Sequence, residues 1–317
     1  MKLGIIGTGM IVRDFLQILP QLKLERVSIF GRNPEQTKAL AQTYEISQIF
    51  CDYEEMLASD ADTLYIALPN DLHFSFAEKA LKAGKHIILE KPITPSLSEF
   101  QALRRLAEEQ KKILIEAMTV HYLPAYLRLK DYLPRLGQIK IVSLNYSQYS
   151  SRYDRFKAGE ILPAFDPLKA GGALMDLNVY NLHFLIGLFG APKSAFYSAN
   201  IERNIDTSGI MLLDYEDFKA VCIAAKDCQA PVTLSIQGEK GCISIPMPAN
   251  IMDNFSLNLN AQPPQQYSFE NQHRMLPEFQ KFISIIARQD FAFAEKMLDI
   301  SEAAVALLDT HKCKIQD

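Results

Sequence analysis

Over roughly the first hundred residues, short apolar runs alternate with stretches whose apolar positions recur every three or four residues, the pattern of parallel strands joined by helices. Leu3 to Ile6, Val27 to Phe30, Thr63 to Leu68, His86 to Ile88 and Lys112 to Ile115 predict strands. Asn33-Pro34-Glu35 predicts a helix start, with a capping side chain, a first-turn proline and an acidic residue. Gly84 suits the end of the helix after Thr63 to Leu68. Ser96 and Glu99 have capping-box spacing, and Leu97, Phe100, Leu103 and Leu106 give the next helix one apolar face.

Near residue 120 the pattern changes. Val142, Leu144 and Tyr146 alternate with polar neighbours, as do Phe255, Leu257 and Leu259, which predicts strands with one wet face. Ile210 to Tyr215, Phe218 to Ala224, Val232 to Ile236 and Cys242 to Ile245 are further strands, the last two joined by a Gly238-Glu239-Lys240-Gly241 hairpin turn. Two helices finish the chain, one with Phe279, Phe282, Ile283 and Ile286 on a face, the other with Met297, Ile300, Ala304, Leu307 and Leu308. At 317 residues the chain exceeds what one core usually supports. The expected architecture is α/β: a Rossmann domain over 1–119, then an α+β domain over 120–317 with a large, mostly antiparallel open sheet. No internal repeat or low-complexity segment is present.

Composition narrows the partners. A formal charge of −4 and the absence of a basic run argue against nucleic acid. No apolar stretch approaches the roughly 20 residues of a membrane span, and Leu3 to Ile6 is too short for a secretory h-region. A cytoplasmic protein with no membrane partner is expected. The cysteines, Cys51, Cys222, Cys228, Cys242 and Cys313, are odd in number and form no CxxC pair, so neither a disulfide framework nor a zinc or other metal site is expected. They read as reduced and structural.

Chemistry concentrates at two places in the first domain. Gly7-Thr8-Gly9-Met10-Ile11 follows the first strand: Gly7 permits a tight turn, and Gly9 lets the backbone approach a pyrophosphate. Val12 stands where the dinucleotide fingerprint has its third glycine, and a glycine pair after a strand is equally a plain turn. The second strand ends in Phe30-Gly31-Arg32-Asn33 with no carboxylate for ribose hydroxyls. An arginine there suits a ribose 2′-phosphate, favouring NADP over NAD. Pro69 and Asn70 end a strand beside this turn, and Lys91 stands at the carboxyl end of another, where open α/β sheets bind ligands.

A third group lies in the segment from Gly171-Gly172 to His183. On an α-helix Asp176, Tyr180 and His183 fall at i, i+4 and i+7, so a carboxylate, a phenol and an imidazole share one face. The competing reading makes Tyr180 a half-buried amphipathic residue and His183 a satisfied core histidine amid Leu182, Phe184 and Leu185. His121 and Arg155 are weaker candidates for a substrate pocket.

Pro69-Asn70 with His73, Ala80-Leu81, Ala83-Gly84-Lys85-His86 and Glu90-Lys91-Pro92 together resemble the Gfo/Idh/MocA oxidoreductases. The segment Gly171 to Tyr180, the Gly238 to Gly241 turn and the helix from Leu298 to Asp309 fit the same family. The resemblance implies a Rossmann domain, a sheet domain that covers the nicotinamide, and a homodimer or homotetramer. It assigns an active-site role to Lys91 and brings Glu90 to the nicotinamide ribose. Asn70, at a strand end that is equally a plain turn, is a candidate contact to ribose or nicotinamide, and His73, counted with the cofactor-side residues, reads as capping or packing the helix it begins. Tyr180, four residues after Asp176, resembles the glucose–fructose oxidoreductase and dimeric dihydrodiol dehydrogenase branch, as do Glu116-Ala117, Met118 and Pro124. Asn178 and Ala170 replace glycines usual there.

The expected activity is NAD(P)-dependent hydride transfer to or from a carbinol carbon of a small sugar, polyol or dihydrodiol. Tyr180 would move the hydroxyl proton; a free tyrosine titrates near 10, so a cation such as Lys91 must favour its phenolate and steady the alkoxide. Asp176 and His183 would bind adjacent hydroxyls, His183 serving as substitute proton donor. The alternative is a regulator that binds dinucleotide and sugar without turnover.

Overall fold

The computed structural model describes residues 1–270 and 272–312. Six strands form a parallel sheet: β1 (Lys2–Ile6), β2 (Arg26–Phe30), β3 (Gln48–Phe50), β4 (Thr63–Ile66), β5 (His86–Glu90) and β6 (Leu114–Ala117). Their spatial order, β3-β2-β1-β4-β5-β6, is that of a Rossmann domain. Strands β1, β4 and β5 are almost wholly buried, which is why they read as unbroken apolar runs. Helices α1 (Met10–Leu16), α2 (Pro34–Thr43), α3 (Tyr53–Ala58), α4 (His73–Lys82) and α5 (Leu97–Glu109) supply the crossovers. Strand order reverses between β1 and β4, so the loops after these strands diverge and leave a crevice at the carboxyl edge.

The helix ends follow local chemistry. Asn33 Oδ1 accepts from the Gln36 N–H at 3.1 Å and caps α2, while Gly84, at φ +73°, ends the turn after α4. Ser96 does not act as expected: its hydroxyl lies 2.8 Å from that of Ser98 and makes no cap bond to α5.

From residue 118 onward come α6 (Pro124–Leu129), β7 (Ile139–Ser147), α7 (Tyr153–Lys157), α8 (Val179–Phe189), β8 (Ser194–Glu202), β9 (Ile205–Asp214) and β10 (Lys219–Ala225). They are followed by β11 (Thr233–Gly238), β12 (Gly241–Ile245), β13 (Asn254–Leu259) and β14 (Gln265–Ser268). The eight-stranded sheet has the order β14-β13-β12-β11-β7-β10-β9-β8, and only the β7–β10 pair is parallel. Strands β8 and β14 have no apolar run to announce them, because their residues are half-buried or exposed. One sheet face carries α8: Asn178 and Asn181 donate to the Cys222 and Ile223 carbonyls of β10 at 3.3 and 3.2 Å. The opposite face exposes Ile141, Phe196, Ile210 and Leu212.

Two helices close the described chain, α9 (Met275–Arg288) and α10 (Phe291–His311). The first compact unit contains Met1–Ala117 together with Met275–Glu302, and the second contains Met118–Arg274 and the residues from Ala303 onward. Residues 275–302, read from sequence as part of the second domain, therefore pack with the first. Ring packing explains it, since Phe279 lies 4.4 Å from Phe15 and 4.9 Å from Tyr65, centroid to centroid. Arg104 of α5 also pairs with Glu295, Asp299 and Glu302 at 2.7, 2.7 and 2.6 Å.

Cys51, Cys222, Cys228 and Cys242 are free thiols. Only Cys222 is buried, whereas Cys51 and Cys228 are exposed, so a structural role does not extend to these two. Cys313 lies outside the described residues. No helix among the described residues is long and apolar enough to cross a membrane.

Asp206, at the start of β9, holds the chain where it turns toward α8. Its carboxylate is 2% exposed and accepts from the Leu174 N–H at 2.6 Å and the Tyr197 hydroxyl at 2.7 Å. Gly172, at φ +102°, makes room for it, since a Cβ there would stand 2.0 Å from Asp206 Oδ1.

Phe279→Ala is expected to destabilise the first unit by about 3–4 kcal/mol in urea unfolding, as for other buried large-to-small changes. Burial pushes the Asp206 carboxyl up to about 6, against the pull of its hydrogen bonds and of the Lys226 charge. Its folded value lies above the unfolded one, so the associated stability is present at low pH and lost as pH rises from about 4 through about 6. Between about pH 4 and pH 7, the wild type should lose on the order of 2 kcal/mol relative to Asp206→Asn, read from unfolding curves at each pH.

Candidate active site

In the first unit the turn from β1 to α1 is closed by Gly7. Its φ of +126° suits glycine, and a Cβ there would stand 2.5 Å from the Ala67 carbonyl oxygen. At Gly9 the reason for glycine is the opposite: a Cβ would meet nothing within 4 Å. That open space belongs to a cavity of about 240 Å³ lined by Gly7, Thr8, Gly9, Phe30, Gly31, Arg32, Asn33, Gln36, Ala67, Leu68 and Pro69. Gly31 fits between Thr8 and Thr37, where a Cβ would lie 2.6 Å from Thr8 Cγ2 and 2.3 Å from Thr37 Oγ1. No lining residue is a carboxylate, and Arg32 is the one cation among them. Val12, in place of the third fingerprint glycine, is fully buried as a core residue of α1. Met10 is 68% exposed and Ile11 half-buried at the start of the same helix. Open backbone, a cation and no competing anion fit a dinucleotide phosphate.

Lys91 follows β5 directly and is half-buried. Three buried side chains fix the chain around it. Glu90 accepts from the Tyr65 hydroxyl at 2.6 Å and from the Lys91 N–H at 3.2 Å. Glu116 accepts from the Ile93 N–H at 2.9 Å and the Ser301 hydroxyl at 2.6 Å. His73 joins two loops: its Nδ1 lies 2.9 Å from the Pro92 carbonyl and its Nε2 2.9 Å from that of Leu68. Fully buried, His73 stands behind the cavity and does not line it. Desolvation pushes its pKa below the ordinary histidine value, while the two carbonyls pull it back. Asn70 begins a single half-buried 3₁₀ turn, Asn70–Leu72.

In the second unit, the segment Leu174–Asn178 is a π-helical turn that leads into α8. Asp176 lies within this π turn, whereas Tyr180 and His183 lie three residues apart on the regular helix α8. Asp176 pairs with Lys226 at 2.9 Å, its side chain 36% exposed. Tyr180 is 8% exposed, its ring 6.2 Å from that of Tyr146. His183 is 1% exposed, and its Nδ1 lies 3.1 Å from His121 Nε2. Burial and the facing imidazole push the His121 pKa well below the usual histidine range, so His121 is neutral at pH 7. Arg155 is exposed and pairs with Glu160.

Sequence reasoning overlooked Lys226 and Asp206. Lys226 follows the apolar run of β10 much as Lys91 follows that of β5, and that shared signal could have drawn attention to it. Asp206 has no comparable signal, because its partners Leu174 and Tyr197 are assembled only by the fold.

Residues 1–118 match the oxidoreductase family with an NAD-binding Rossmann fold, and residues 133–244 match the GFO/IDH/MocA C-terminal domain. The chain is 35% identical over 249 residues to scyllo-inositol 2-dehydrogenase (NADP(+)) IolU of Bacillus subtilis (strain 168), covering 77% of this chain and 75% of that one. It is 27% identical over 256 residues to trans-1,2-dihydrobenzene-1,2-diol dehydrogenase of Sus scrofa, covering 77% and 74%. In fold it is similar to KijD10, a 3-ketoreductase from Actinomadura kijaniata in complex with NADP and TDP-benzene. That likeness has a TM-score of 0.85 at 20% identity and covers 98% of this chain and 96% of the other. Matched in both of its sheet regions, the chain belongs to the Gfo/Idh/MocA family, and it is an NAD(P)-binding oxidoreductase whose residues 1–118 are the family's Rossmann domain.

Proposed function

We propose that this oxidoreductase prefers NADP and acts on a CH–OH group of a sugar, polyol or related vicinal diol. The observation that carries the substrate class is the 35% identity to an NADP-dependent scyllo-inositol dehydrogenase, supported by the similarity to a dihydrodiol dehydrogenase. Both substrate names describe neutral rings with adjacent hydroxyls. The preference for NADP is supported by Arg32 on a cavity wall without a carboxylate.

Gly7, Thr8 and Gly9 would hold the pyrophosphate through their backbone, and Arg32 the 2′-phosphate, with Met10, Ile11, Pro69 and Asn70 bounding the ligand. Bound NADP supplies the capacity to take a hydride from the carbinol carbon and, when reduced, to return it. The chain's own residues handle the proton. Tyr180 exchanges it with the substrate hydroxyl, and the Lys91 ammonium favours the phenolate and steadies the developing alkoxide. Asp176 accepts from a neighbouring hydroxyl. His183, held by His121, acts from within the second unit as a positioning residue for α8. Glu90 and His73 serve Lys91 by fixing the chain on either side of it.

The enzyme works in the cytoplasm as a homodimer or homotetramer. The free thiols among the described residues support the compartment, and the exposed Phe196, Ile210 and Leu212 on the outer sheet face support self-association.

Incubating the protein with NADP or NAD and a panel of inositols, sugars and trans-dihydrodiols should produce reduced-nicotinamide absorbance, more strongly with NADP. Binding of cofactor with silence across the whole panel identifies a regulator instead. Tyr180→Phe should lower turnover by roughly 10²–10⁴-fold with little change in NADP affinity, and Lys91→Ala should be at least as damaging. In calorimetry, Arg32→Ala should weaken NADP binding by about tenfold or more while leaving NAD nearly unaffected.

A further inference from the structure

Lys226 takes no part in the chemistry proposed above, yet it is a deeply enclosed cation of the second unit, with a side chain 3% exposed. Its Nζ donates to the Ala164 carbonyl at 2.6 Å and to Asp176 Oδ2 at 2.9 Å, and stands 4.6 Å from the centre of the Phe165 ring. Its main chain is fixed on both sides. The Lys226 N–H donates to the Thr207 carbonyl at 2.8 Å, and the Lys226 carbonyl accepts from the Ser150 N–H at 2.9 Å. Ala164 and Phe165 belong to the long connection between β7 and α8, whose Tyr153, Phe156 and Phe165 form a buried cluster with Ile205 of β9. One buried ammonium thus joins three things: the end of β10, the connection, and the carboxylate at the π turn.

An ammonium at this depth is strongly disfavoured without its partners, so the two contacts depend on each other. If the connection moves, the carboxylate loses this contact; if the carboxylate moves, the ammonium that holds the connection loses its counter-charge. Asp176 meets Lys226 through Oδ2 while its side chain remains 36% exposed. The charge of Lys226 is directed inward, to Asp176 and the Ala164 carbonyl, so Lys226 itself adds no cation to the acceptor that Asp176 offers an incoming molecule.

We infer that Lys226 is a positioning residue that clamps the 150–170 connection to Asp176, and that the carboxylate so held selects neutral polyhydroxyl substrates over acidic or phosphorylated ones. The clamp stands on the geometry alone, whereas the selectivity rests on the substrate class proposed above.

Hydrogen exchange on the full chain tests the clamp without reference to activity. In Lys226→Met, peptides from 150–170 and 173–180 should exchange about tenfold faster or more, with peptides from 1–117 unchanged, as expected when a charged hydrogen-bond partner is removed. Asp176→Asn breaks the same pair from its half-exposed end and serves if the first variant does not fold. Faster exchange over 150–170 in it supports the clamp, and unchanged exchange overturns it.

Selectivity is read with scyllo-inositol and NADP. Lys226→Met should raise KM by about tenfold or more, with a smaller effect on kcat and NADP affinity within about twofold. Added to Asp176→Asn, it should change KM by less than about twofold, because both remove one interaction; multiplying effects would mark a separate structural role and overturn the assignment. A glucuronate or inositol phosphate turned over as well as scyllo-inositol overturns the selectivity. Absence of turnover on every compound counts against the substrate class, while the exchange result still decides the clamp.

Discussion

The first unit depends on a contact that only a residue without a side chain allows. Gly7 brings the turn after β1 so close to the end of β4 that a Cβ would lie 2.5 Å from the Ala67 carbonyl. The two strands are neighbours, buried on both faces, and their following loops leave in opposite directions. A side chain at Gly7 would force this edge apart. With the edge closed, the space left beyond it is the cavity walled by Gly9, Gly31 and Arg32.

Around that edge the functional chain is held from beneath by buried polar groups. Glu90, Glu116 and His73 each bond a backbone group of the segment from Lys91 to Ile93, and tie it in turn to Tyr65, Ser301 and the Leu68 carbonyl. The second unit uses the same device with Asp206 at the helix start and Lys226 at the π turn. Such contacts are directional, and losing one partner leaves a desolvated group, so the geometry is set before any ligand arrives. Exposed pairs such as Arg155 with Glu160 lack this leverage, because water competes for both charges.

Two departures from the family pattern have local accounts. Asn178, where a glycine is usual, turns its amide to the Cys222 carbonyl and accepts from Asn181, so the substitution ties α8 to β10. Ala170, also replacing a glycine, adopts φ +49°, a left-handed conformation that costs an alanine more than a glycine. The adjoining Gly171 and Gly172 remain indispensable, with the Ala164 and Pro163 backbone crowding one and Asp206 the other.

The fold, and the strand-end positions that make up part of the candidate site, were legible in the linear chain because they rest on local rules. Apolar runs gave the buried strands away, Asn33 and Gly84 marked helix ends, and a lysine after an apolar run marked Lys91. The same rules were silent wherever a residue's meaning came from something distant along the chain. Strand β8 carries no apolar run because it borrows its order from β9, and Phe279 joins the first unit because Phe15 and Tyr65 wait for its ring. Only the folded chain brings Ala164 and Asp176 to the ammonium of Lys226, and only burial lifts the Asp206 carboxyl to about 6. The physical reason is range: strand period, turn strain and capping act over a few residues and are written in order, whereas desolvation and ion pairing depend on which distant segments exclude water together.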